Sequence, residues 1–157
     1  MLFRSKDVPG ARVASGAGTD HIQPDPDRSI ADVIAAYEEQ IEAIEKLGGR
    51  IILMASRALV ASARSPDAYG LVYDRILSQV KEPVIIHWLG EMFDPALAGY
   101  WGHEDHHEAM KVCADVLRRN ASKVDGIKVS LLDKDKEIAL RRMLPKGVRM
   151  RSEEHTS

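Results

Sequence analysis

A lysine set inside an apolar run is the residue of this sequence best placed for covalent chemistry. In Val124-Asp125-Gly126-Ile127-Lys128-Val129-Ser130, strand alternation turns Ile127 and Val129 to one side and Lys128 to the other. With helices covering the first side, Lys128 projects into the interior of the sheet. Burial there favours the neutral amine, the form that attacks a carbonyl to give a carbinolamine and then an imine. The same run also fits a strand lysine whose stem packs while its ammonium reaches water. His87, in Pro83-Val84-Ile85-Ile86-His87-Trp88-Leu89, has the equivalent geometry, with Ile86 and Trp88 on the opposite side. Its imidazole is a candidate proton donor and acceptor near neutral pH; a structural histidine with its hydrogen bonds satisfied is the alternative.

The densest titratable cluster is His103-Glu104-Asp105-His106-His107-Glu108. On one helix, His103, His106 and His107 share a face at i, i+3 and i+4, an arrangement a metal ion can use. Against a metal, the run lacks the ordered spacing of a specific motif, and acidic residues in a first helical turn are already explained by the helix dipole. The turn Gly16-Ala17-Gly18-Thr19-Asp20-His21 has neither G-x-G-x-x-G nor a Walker lysine. It reads as a tight strand-to-loop turn rather than a phosphate cradle.

The elements that must position these groups alternate along the chain. Arg12 to Gly16 reads as a short strand, followed by a Pro/Asp-rich loop from Gln23 to Arg28. Ser29 with Asp32 forms a capping-box pattern, and Ile30, Val33, Ile34, Tyr37, Ile41 and Ile44 mark one helical face that Gly48-Gly49 terminates. Arg50 to Ala55 is a continuous apolar run between breakers and predicts a strand buried on both faces. Ser65 as cap and Pro66 in the first position open a helix whose apolar face is Tyr69, Val72, Tyr73, Ile76 and Val80. After the His87 strand and a loop from Gly90 to Gly102, a helix carries Met110, Cys113, Ala114 and Leu117 on one face. The Lys128 strand follows, then a helix from a cap at Asp133 to near Leu144. Pro145-Lys146-Gly147 leads into a last strand at Val148-Arg149-Met150. Strand starts near positions 12, 50, 83, 124 and 147 repeat a βα unit and predict an α/β fold with a parallel sheet. An open doubly wound sheet and a closed barrel share this pattern. A complete (β/α)8 barrel needs about 250 residues, so a chain of 157 residues holds only part of one.

Composition narrows the function classes. At 45% hydrophobic and 29% charged residues, the chain has the means for one globular domain with a real core. A net charge of −2, from 22 basic and 24 acidic residues, gives no footprint for nucleic acid or an anionic membrane. The single cysteine, Cys113, cannot form an intramolecular disulfide and suits the reducing cytoplasm. No apolar run approaches the roughly 18 to 20 residues of a membrane span, and Met1 to Gly10 has no signal-peptide core. The last seven residues, Arg151 to Ser157, read as the translation of a common short-read sequencing adapter, and Met1 as an internal start. The expected organisation is therefore a barrel segment over residues 1–150 and an adapter-derived tail over 151–157.

The order GAGTD, RIILMASRAL, PVIIHWLG and VDGIKVS resembles the third to sixth strands of the dihydrodipicolinate synthase and N-acetylneuraminate lyase superfamily. It most resembles an uncharacterised bacterial family named for that similarity, and the likeness covers nearly all of residues 8 to 150. The resemblance implies a partial (β/α)8 TIM barrel, about strands three to seven of eight, in which Gly126-Ile127-Lys128 matches the sixth-strand G-I-K whose lysine forms the Schiff base. It further implies a class I aldolase-like lyase acting on a small carbonyl or 2-oxo acid, with Gly18, Thr19, Ser56 and Ser130 contacting substrate. No cofactor is needed, and the intact protein is expected to be a homo-oligomer. The chain departs from the superfamily at three places. His87 stands where well-studied members carry a proton-relaying tyrosine. Gly90-Glu91-Met92-Phe93-Asp94 lacks the arginine that holds a substrate carboxylate. The threonine pair of the second strand has no counterpart. Pyruvate therefore does not follow as the substrate, and with about three barrel units lacking, the chain alone is expected to be inactive and prone to aggregate. Two other readings are a metal-dependent barrel enzyme using His87, Asp94 and the 103–108 cluster, and a non-catalytic fragment or binding module.

Overall fold

A computed structural model describes residues 14–152. The start of the first expected strand at Arg12 and all but Arg151 and Ser152 of the tail lie outside the described residues. Strands β1 (Ala14–Ala17), β2 (Arg50–Leu53), β3 (Val84–Leu89), β4 (Val124–Ser130) and β5 (Arg149–Ser152) alternate with helices. The helices are α1 (Ile30–Lys46), α2 (Arg57–Ser62), α3 (Pro66–Gln79), α4 (His106–Arg119) and α5 (Lys134–Met143). All five strands are parallel and lie side by side in chain order. A doubly wound sheet reverses its strand order at a switch point, whereas a barrel does not. Here the order never reverses, and α1 packs on α3, α3 on α4 and α4 on α5 along the sheet. The fold is α/β, with the winding of a partial (β/α)8 barrel. Among the described residues, no helix is long and apolar enough to cross a membrane.

Local sequence explains the elements. The Ser29 hydroxyl accepts the Asp32 N–H at 3.1 Å and starts α1. Val33, Tyr37, Ile41 and Ile44 are buried as their spacing predicts, and Gly48, at φ 71°, turns the chain out of the helix in the left-handed region that suits glycine. Pro66 opens α3 as expected, but Ser65 makes no side-chain cap. Helix α2 was not foreseen: Ser56 caps it by accepting the Leu59 N–H at 2.9 Å. His103 lies outside α4, because the Asp105 carboxylate takes the N–H of His107 at 2.8 Å and so begins the helix at His106. The expected three-histidine helical face therefore does not form.

Strand β2 is not buried on both faces. Ile51 and Leu53 are buried in the helix layer, while Ile52 on the other face is half-exposed and Arg50 is exposed. The core lies between sheet and helices, and all five helices among the described residues pack on that side of the sheet rather than on the opposite, inner face.

Register places one row of this inner face across all five strands: Gly16, Ile52, Ile85, Gly126 and Arg149. Between β3 and β4 the register shifts, with Val84 opposite Val124 but Ile85 opposite Gly126. This leaves Asp125 as the extra residue of a bulge, and its carboxylate pairs with Arg50. Gly126 is required by closeness: a Cβ there would stand 2.8 Å from the backbone oxygen of Arg149. Gly126→Ala should force β4 and β5 apart and cost roughly 1–3 kcal/mol, measured as a lower urea midpoint.

Candidate functional site

Lys128 and His87 are strand neighbours. Their Cα atoms are register partners on β4 and β3, and Leu89 is likewise opposite Ser130. Ile127 and Val129 are buried against the helices, as are Ile86 and Trp88. Alternation therefore turns Lys128, Ser130 and His87 to the inner face, near the carboxyl ends of their strands, where barrel enzymes gather reactive groups. His87 is buried, Lys128 is half-buried and Ser130 is buried. His87 Nε2 lies 3.3 Å from Ser130 Oγ, a contact in which the hydroxyl donates or accepts according to the imidazole tautomer. The arrangement sets Lys128 and His87 opposite each other on adjacent strands, with the Ser130 hydroxyl within hydrogen-bond distance of the imidazole.

Lys128 borders a cavity of about 370 Å³ lined also by Arg50, Ile85, Asp125, Gly126 and Arg149. Its cationic side chains outnumber Asp125, which Arg50 already engages. A second cavity of about 240 Å³ lies over the carboxyl ends of β1 to β3, lined by Gly16, Gly18, Met54, Arg57, Leu89 and Asp94. Met54 lies over both glycines; a Cβ at Gly16 would come within 3.2 Å of its Cγ.

Of the expected substrate contacts, Gly18 borders this second cavity, and its N–H donates to Gln40 Oε1 at 3.1 Å. Thr19 and Ser56 lie behind it. Both are buried, their hydroxyl oxygens are 2.6 Å apart, and they join the loops after β1 and β2. Tyrosines support the junction: the Ser56 N–H donates to Tyr100 Oη at 3.1 Å, and Tyr100 and Tyr73 share a hydrogen bond of 2.7 Å. Tyr37 donates to the Met54 carbonyl at 2.5 Å. Burial pushes the Tyr37 phenol up to about 12 and lifts those of Tyr73 and Tyr100 well above the usual range. These hydroxyls keep their protons wherever the fold persists, so the junction stays hydrogen-bonded across the neutral range.

Arg57 is the group that sequence reasoning missed. The loop after β3 carries no arginine, yet the Arg57 Nε–H donates to Asp94 Oδ2 at 2.7 Å, and Asp20 stands 3.8 Å from its Nη1. A guanidinium from the first residue of α2 thus reaches the loop where none was available locally. The signal was its position in the connection that follows a strand's carboxyl end. Among the described residues, no group of three or more His, Cys, Asp or Glu side chains is placed to hold a metal ion. Asp94 instead binds Arg57, while His106 bonds to Glu91, with Oε1 2.9 Å from Nε2. Cys113 is buried in the helix layer, and burial pushes its thiol far up, so it remains unionised.

No curated protein matches the chain. A family model described as protein of unknown function, DUF993, matches residues 3–155. That match spans nearly the whole chain, which therefore belongs to the DUF993 family.

Proposed function

We propose that this chain carries the reactive half of a cytoplasmic Schiff-base-forming lyase of the class I aldolase type, acting on a small carbonyl compound or 2-oxo acid. On this reading the chain holds strands three to seven of eight, and the complete barrel is the active form. One observation carries it: Lys128 and His87 are register partners on adjacent parallel strands, on the inner face and near the strands' carboxyl ends.

Lys128 Nζ, as the neutral amine, adds to the substrate carbonyl carbon, and the carbonyl oxygen gains a proton. Loss of that oxygen as water leaves a protonated imine. The iminium nitrogen then accepts the electron pair released when the neighbouring carbon–carbon bond breaks or an α-proton leaves. His87 is the group that gives and takes these protons, and Ser130 orients its ring. The resemblance of VDGIKVS to the Schiff-base strand of the dihydrodipicolinate synthase superfamily supports the same assignment.

Imine formation acidifies the α-carbon, so solvent exchange of α-protons tests the reading without knowledge of the physiological product. In D2O, the complete protein should catalyse deuterium incorporation into at least one small ketone or 2-oxo acid. His87→Gln should slow it by about 10²-fold or more while leaving imine formation detectable. Exchange equally fast in Lys128→Met would refute the proposal.

A further inference from the structure

The loop that follows the His87 strand is joined through α4 to the first turn of α5, the helix after the Lys128 strand, by a three-residue bridge. Glu91, just after β3, accepts from His106 Nε2, with its two carboxylate oxygens at 2.9 and 3.2 Å. The other ring nitrogen, Nδ1, lies 2.7 Å from Lys136 Nζ on α5. An ammonium has no lone pair and can only donate, so Nδ1 accepts and the proton of a neutral His106 sits on Nε2. The bridge thus exists in one protonation state of the imidazole.

We propose that His106 is a proton-operated latch on the loop between Lys128's strand and α5, closed while the ring is neutral and opened when Nδ1 gains a proton. Protonation turns the acceptor into a donor and sets two cations against each other. Lys136 has another partner within reach, since Asp133 Oδ2 is 3.8 Å away. Glu91 remains attractive to the ring in both states, so the contact that breaks is the one to α5. The charged and titratable groups recorded around His106 are Glu91 from the β3 loop, Lys136 and Asp133 from the α5 end, and Asp105, His107 and Glu108 on its own helix. The Glu91 carboxyl is opposed by its own burial but is held below the usual carboxylate range by its backbone N–H, His106 and Lys136, so it stays ionised through the switch.

The latched segment is backbone-strained: Leu132, exposed, holds φ 54° between β4 and the Asp133 cap of α5. Release of Lys136 removes a tether on this segment, three to five residues beyond Lys128. The closed state binds fewer protons, so acid opens it. None of this depends on the imine reading.

Trp88 provides a reporter, because its ring meets that of His106 edge to face at 6.3 Å, and a protonated imidazole in contact quenches indole emission. Amide hydrogen exchange on the full chain, corrected for the intrinsic pH dependence, should be about tenfold higher at residues 131–136 at about pH 5 than at about pH 8. Tryptophan emission should fall over the same interval. In His106→Gln both changes should vanish, leaving exchange flat with pH. An equal rise in His106→Gln, or no step in emission of the unmodified protein between those limits, would overturn the latch; the second readout needs no variant to fold.

Discussion

Trp101→Ala should cost about 3–5 kcal/mol of stability, the largest loss expected from a single truncation in this fold. Its ring is fully buried. It packs on Tyr73 at 4.9 Å, Tyr100 at 5.2 Å, Tyr69 at 6.0 Å and Trp88 at 6.1 Å between ring centres. Deleting it leaves a cavity among aromatic rings that cannot all collapse into the space. Its backbone sits at φ 71°, a region that costs an L-residue roughly 1 kcal/mol or more and costs glycine nothing. Trp101→Gly should therefore be the milder change, by about 1 kcal/mol. Urea unfolding of the two variants checks the order of midpoints; a Gly midpoint no higher than the Ala midpoint would show that backbone relief contributes nothing. The effect reaches the site, because Tyr100 under this ring also holds the Ser56 N–H and with it the start of α2 that presents Arg57.

The second large effect falls on Lys128. On the proposed imine mechanism, Lys128→Met should reduce carbonyl turnover by on the order of 10³-fold or more, since methionine offers no amine to add to the carbonyl. Lys128→Arg separates the two roles a strand cation can play. Arginine keeps the charge and a long stem but is not deprotonated in proteins. If Lys128 acts as a nucleophile, Arg and Met are equally inactive; if it only neutralises an anion, Arg retains much of the wild-type rate. Lys128 is half-buried and backed on both strand neighbours by core residues, so neither variant should unfold the sheet.

Much of this was legible in the sequence where a local rule governs. The 7-residue run of β4 shows its two faces by alternation, and Lys128 falls on the inner one. Ser29 and Asp133 announce helix starts because a cap acts on amides two or three residues on. The periodic face of α1 names its own core. What stayed hidden depends on residues far apart in the chain. Arg57 and Asp94 are 37 positions apart, and His106 and Lys136 are 30 apart; no spacing rule connects such pairs. Helix α2 has 6 residues, too few for an apolar period to show, and its cap Ser56 reads equally well as a substrate contact. The run Arg50 to Ala55 misled for a different reason. An apolar strand reports that both faces are suited to burial, but Ile52 meets no second layer among the described residues, so its face stays half-exposed. The positive φ of Trp101 has no sequence signature, because an L-residue adopts this region against its own preference.

The measurement closest to the central claim is borohydride trapping. The complete protein is incubated with a panel of small aldehydes and 2-oxo acids, reduced, and digested for peptide mapping. The expected result is a substrate-dependent secondary amine on Lys128, with a mass that identifies the carbonyl partner, lost in Lys128→Met. Folded protein that traps nothing, or traps on surface lysines in proportion to their exposure, would contradict imine chemistry at this site.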